Sequence, residues 1–172
     1  MDDEGVWAIL GSLNDIVTHV AIRVALKCEI PVINMADPDP TIGAPLAEYI
    51  ELRNNSNNLL DLTNVRINGG HFTSQVTLAP NGFLIVSDTE NSTAFGASIP
   101  TAFMESFPGL TNSGTILSLY DDELLLDQLQ YTIEWYRDDS KIEGGWALER
   151  INPLATCSGR YNWRASNAQY GS

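Results

Sequence analysis

The clearest pattern in the chain is a strict alternation over residues 47–54, Ala47-Glu48-Tyr49-Ile50-Glu51-Leu52-Arg53-Asn54. Glu48, Ile50 and Leu52 leave one side, and Tyr49, Glu51 and Arg53 the other. Period two is what a half-buried strand requires, because successive side chains leave opposite faces of a sheet. The run ends in Asn54-Asn55-Ser56-Asn57-Asn58, short polar residues that bond local backbone and tolerate positive φ. Leu59, Leu60 and Leu62 resume a short apolar stretch, and further strands are predicted at 64–67 before the Asn68-Gly69-Gly70 turn, and at 72–78. After the turn Ala79-Pro80-Asn81-Gly82, the continuous apolar run Phe83-Leu84-Ile85-Val86 reads as a strand buried on both faces. Residues 88–114 read as a long connection with a short helical turn at 101–107. Residues 115–120 and 124–133 read as a hairpin about Asp121-Asp122-Glu123, and 144–152 as a late strand.

Upstream, residues 16–27 fit both a strand and a helical stripe, with strand favoured because the segment is rich in β-branched residues. Residues 30–36 form another strand candidate, before the stiff loop Asp37-Pro38-Asp39-Pro40-Thr41-Ile42-Gly43-Ala44-Pro45. Eight or nine short strands at close spacing, with no intervening helices of 10–15 residues, predict an all-β sandwich or barrel.

Composition narrows the picture. At 172 residues, 44% hydrophobic and 18% charged, the chain can fold and bury one ordinary core. A net charge of -13 opposes nucleic-acid or anionic-membrane binding, which needs clustered Lys and Arg. No apolar run reaches the ~18 residues of a membrane span. The opening Met1-Asp2-Asp3-Glu4 lacks the positive n-region of a secretory signal, so the expectation is a cytoplasmic protein or a piece of a longer one.

Candidate chemistry is sparse. His19 sits among apolar neighbours and His71 beside Gly69-Gly70, and both read as structural or inert. The chain has no GxSxG, HExxH or P-loop motif, and the adjacent acids Asp121-Asp122 and Asp138-Asp139 read as solvated, so no catalytic residue is assigned. Asp37 and Asp39 invite a calcium reading. The EF-hand pattern fails at Thr41 and Ile42, so solvated loop acids are preferred and calcium is kept only as the alternative cofactor. Cys28 and Cys157 are the only cysteines, and sequence leaves open whether they pair. The candidate binding residues are Trp135, Tyr136 and Arg137, which place aromatic faces beside charge after a strand. For Trp146 and Trp163 the preferred role is filling the core.

An ordered set of motifs carries a resemblance. Ile33-Asn34, Glu48 to Asn54, Leu60-Asp61-Leu62 and Leu78 to Val86 are followed by Gly114 to Asp121, Gly144 to Pro153 and Asn162-Trp163-Arg164-Ala165-Ser166. Together they resemble the lamin-tail domain in its bacterial version, across residues 30–172. The resemblance implies an immunoglobulin-like β-sandwich, with residues 1–29 as an N-terminal extension or the end of a preceding domain. It also implies a non-catalytic interaction or structural module within a larger secreted or cell-surface bacterial protein, its partner a protein or a cell-surface glycan. Two features depart from the family: Met35 stands where a Glu usually follows Ile-Asn, and the chain stops where a Gly-Thr-Pro-Gly motif is expected. The alternatives are a carbohydrate- or calcium-binding module, and an intracellular lamin-tail-like scaffold, which predicts free thiols at Cys28 and Cys157.

Overall fold

The computed structural model describes residues 33–34, 47–111, 113–142, 146–152, 155 and 159–167. Its strands are β1 (Ile33–Asn34), β2 (Tyr49–Arg53), β3 (Leu60–Asp61), β4 (Val65–Ile67), β5 (Gly70–Phe72), β6 (Thr77–Leu78), β7 (Phe83–Asp88), β8 (Thr101–Glu105), β9 (Ile116–Asp121), β10 (Leu124–Gln130), β11 (Ala147–Arg150) and β12 (Trp163–Ala165). Short 3-10 turns are the only helices among the described residues, none of them long and apolar enough to cross a membrane. The protein is all-β.

Ten strands form one mixed sheet in the order β10-β9-β4-β5-β8-β7-β2-β1-β11-β12, and β3 and β6 form a separate antiparallel pair. Every neighbouring pair in the large sheet is antiparallel except β7 with β8. The organising alternation is β2, where Ile50 and Leu52 are fully buried. It pairs with β7 over the whole register from Tyr49 opposite Ser87 to Arg53 opposite Phe83. In β7, the run Leu84 to Ser87 is buried as predicted, because the strand lies between β2 and β8, while Phe83 at its start is exposed.

The turns follow their chemistry. Asn68, Asn81 and Asp122 adopt positive φ at the predicted reversals. At the Asn-rich end of β2, Asn54 is fully buried and organises the turn. Its amide donates to the carbonyls of Asn58 at 2.7 Å and Leu78 at 3.0 Å, and its oxygen accepts from the Ser56 amide at 2.9 Å and hydroxyl at 2.7 Å.

Three expectations need correction. Thr101–Glu105 form a strand, β8, where a helical turn is expected at 101–107. Thr101-Ala102-Phe103-Met104-Glu105 alternates, with Ala102 and Met104 inward, but the segment meets β7 in parallel and so follows a crossover that a local reading of polar residues treats as loop. Twelve strands are described where eight or nine are predicted: the apolar stretch at 59–62 holds β3, the run at 72–78 divides between β5 in the large sheet and β6 in the small one, and β8 and β12 lie where no strand is predicted. His71 lies within β5 and not at a turn. It is exposed, with Nε2 3.4 Å from Glu105 Oε2 on β8.

The sheet must curl. Laid flat, ten strands at about 4.8 Å spacing would separate β10 from β12 by roughly 40 Å. Yet Leu117 and Leu126 from one end share a single core with Leu148 and Trp163 from the other. The 3-10 turn Ile133–Tyr136, which leaves β10, packs directly on β12. The segment leaving one edge strand therefore packs on the other edge strand, and this contact forms a seam.

The expected element at residues 16–27, the loop at 37–45, Cys28 and Cys157 and the end of the chain beyond residue 167 lie outside the described residues.

Candidate functional site

The seam carries a cleft of about 290 Å³ lined by Glu134, Trp135, Arg137, Arg160 and Tyr161. Each side supplies part of it. Glu134, Trp135 and Arg137 come from the segment leaving β10, and Arg160 and Tyr161 from the 3-10 turn Gly159–Asn162 leading into β12.

The first wall is set by a tight reversal. Thr132 is extended, the 3-10 turn runs from Ile133 to Tyr136, and Arg137 closes it in the left-handed region at φ 54°, its N–H donating to the Glu134 carbonyl at 3.3 Å. That conformation is uncommon for a non-glycine residue, and here it turns the guanidinium back across the pocket. Arg137 Nη2 donates to the Arg160 carbonyl at 2.8 Å, tying the two walls together. Beyond it, Asp138 caps the next 3-10 turn, accepting from the Ser140 hydroxyl at 2.6 Å and amide at 3.0 Å, and these bonds hold its carboxyl below the usual carboxylate range.

Asn162 fixes the second wall. It is buried, and its amide donates to the carbonyls of Asn152 at 2.8 Å and Ala155 at 3.0 Å, while its oxygen accepts from the Asn152 amide at 2.8 Å. This clamp holds Tyr161 outward, with 70% of its surface in water. Below it, Trp163 is buried, its ring 6.1 Å from that of the partly buried Trp135 and 5.0 Å from the Arg150 guanidinium. Two guanidiniums flank the exposed phenol ring: Arg160 at 5.1 Å and Arg137 at 6.0 Å from its centre. Arg160 Nη2 also donates to the Tyr161 oxygen at 3.3 Å. That hydrogen bond, then the guanidinium charge, draws the Tyr161 phenol below its ordinary range, and the same bond, then the charge of the ionised phenol, pushes Arg160 up. The pocket thus carries two cations and one carboxylate in a chain of net charge -13.

Of the three binding candidates read from sequence, Trp135 and Arg137 line the pocket and Tyr136 does not. Tyr136 is buried in the core, where its hydroxyl donates to the Trp146 carbonyl at 3.3 Å and burial pushes its pKa up. The pocket is incomplete without Arg160 and Tyr161. No local reading singled these out, because their relation to Trp135 depends on sheet closure. The only available signal was the oddity of Arg-Tyr-Asn just before a buried Trp. Trp163 fills the core as expected, and Trp146 is partly buried against it, with Lys141 Nζ 4.2 Å from its ring centre. Asp37, Asp39, Cys28 and Cys157 lie outside the described residues.

No protein-family model matches this chain, and comparison with curated proteins and with solved structures finds no match.

Proposed function

We propose that this chain is a non-catalytic interaction module, an immunoglobulin-like β-sandwich of lamin-tail type. On this reading it belongs to a larger secreted or cell-surface bacterial protein and meets its partner at the seam pocket. The observation that carries the reading is Tyr161, an aromatic ring held 70% exposed between two guanidiniums and fixed from beneath by the buried Asn162 clamp. Tyr, Trp and Arg are the residue types that dominate binding energetics, and their value depends on being held in place before the partner arrives. The resemblance is supported by the motif residues Ala147, Leu148 and Trp163, which occupy the core as a sandwich of that type requires. The test is a backbone-amide shift titration with pooled cell-surface glycans and peptides. Saturable shifts clustered at Trp135, Arg137, Arg160 and Tyr161 are expected. A pocket silent to every pool would overturn the reading.

A further inference from the structure

We propose that the seam pocket takes a carboxylate-bearing pyranose, a uronate unit of an acidic glycan. The inference rests on the binding reading above and names its ligand class.

Three features of the pocket converge on that chemistry. First, Tyr161 is an aromatic residue with 70% of its surface exposed, and Trp135 lines the same pocket. The C–H face of a pyranose is apolar and planar enough to lie on such a ring, which the flexible stem of an acidic amino-acid side chain is not. Second, two guanidiniums stand over the same ring. Arg presents a rigid fork of N–H donors that matches a carboxylate, and Arg137 has one nitrogen already committed to the Arg160 carbonyl, so its orientation is set in advance. Third, Glu134 lines the same pocket. A site built only for an anion would exclude a carboxylate. A sugar acid makes use of one, since its hydroxyls donate to Glu134 while its own carboxylate accepts from the arginines. The volume of about 290 Å³ lies just under the usual range for ligand pockets, about 300–1,000 Å³, which suits one or two sugar rings and not a longer peptide.

The experiment compares three probes on the whole chain by amide shift titration: an oligogalacturonate, a neutral galacto-oligosaccharide of equal length, and a glutamate-rich peptide. The inference expects saturable shifts at Trp135, Arg160 and Tyr161 from the oligogalacturonate, with the neutral sugar about tenfold weaker, as expected for loss of a charge-assisted pair. Arg160→Gln is the main variant, because Arg160 is exposed and its backbone is held by the Asn162 clamp, whereas Arg137 also closes a turn. It should reduce acid-sugar affinity to the neutral level. Arg160→Lys should recover only part, since it restores charge without the fork, and Arg66→Gln, on β4, should change nothing. Equal binding of the neutral sugar would overturn the uronate inference and leave the module reading standing. Tighter binding of the peptide would do the same and make the pocket a protein site. Silence at the pocket with all three probes would overturn the inference and weigh against the module reading as well.

Discussion

Among single residues, Asn54 and Glu51 act in opposite senses. Asn54 is fully buried with its side-chain amide satisfied on both ends, so truncation would leave the Leu78 carbonyl and the Ser56 amide short of a partner. Orphaned buried polar groups cost about 1–3 kcal/mol each. Asn54→Ala is expected to lower stability by about 3 kcal/mol in a denaturant titration, far more than the same change at exposed Asn57. Glu51 is an unfavourable site for a charge. Ile50 and Leu148 both sit opposite Ile33, so one step along, Glu51 and Glu149 share a face two strands apart, roughly 10 Å. Burial first, then Glu149, push the Glu51 carboxyl above its usual range. A carboxyl whose folded pKa is raised binds its proton more readily in the folded chain, so its penalty is present at neutral pH and vanishes below the ordinary carboxylate pKa. Glu51→Gln should therefore raise the melting temperature at pH 7, with the gain closing as pH falls toward 4, where unfolded carboxylates also protonate. A gain that is equal at both pH values would show that the cause is not charge.

Among elements, the entry to the β9–β10 hairpin is the most constrained. Gly114 adopts φ 115°, and a Cβ there would run into the Tyr131 carbonyl and come within 2.8 Å of the Thr132 Cα. The two arms of the hairpin stay paired here: Tyr131 donates its amide to the Thr115 carbonyl and its hydroxyl to the Thr111 carbonyl at 3.0 Å. Gly114→Ala is expected to cost about 3 kcal/mol in denaturant unfolding, combining backbone strain with overpacking. Gly109→Ala, where a Cβ meets nothing within 4 Å, should be close to neutral. The 3-10 turn Ile133–Tyr136 that follows packs against β12 and contributes to the pocket, so the hairpin entry adjoins the site. These elements also show what local reading can reach. The β9–β10 hairpin was legible because Asp121-Asp122-Glu123 breaks two alternating runs, and the β4–β5 turn because Asn68-Gly69 accepts its backbone conformation. β8 was hidden, since its partners are a parallel neighbour reached by a crossover and a strand some thirty residues earlier, and polar residues 88–100 mask its approach.

For the molecule as a whole, Tyr131 and Tyr136 make an alkaline limit. Both phenols are buried against the core, and burial pushes both pKa values well up, with Glu48 adding to the effect at Tyr131 and Tyr131 at Tyr136. In the unfolded chain they ionise near pH 10. Above that pH the unfolded state has released protons that the folded state keeps, so stability falls as pH rises. Denaturant titrations from about pH 9 to 12 should show that decline, and Tyr131→Phe with Tyr136→Phe should flatten it while lowering the stability at pH 7 through the lost hydroxyl bonds. An unchanged slope in the double variant would place the alkaline transition elsewhere. Exposed Tyr161, whose phenol is drawn down, contributes in the opposite sense and limits the slope.

The pattern of alternation and turn residues was enough to determine an all-β chain, the position and facing of β2, the double burial of β7 and the turns at Asn68, Asn81 and Asp122. Each of these depends on interactions within a few residues or on which face is apolar, and both are written locally. Trp135 and Arg137 were legible as candidates because aromatic and charged residues cluster there in sequence. Only the tertiary structure decided that Tyr136 turns inward, that β8 joins the sheet and that Arg160 and Tyr161 complete the pocket. Those outcomes depend on a ten-stranded sheet curling until its two edges share one core. Closure brings together residues more than twenty positions apart, through packing that no short window of sequence contains.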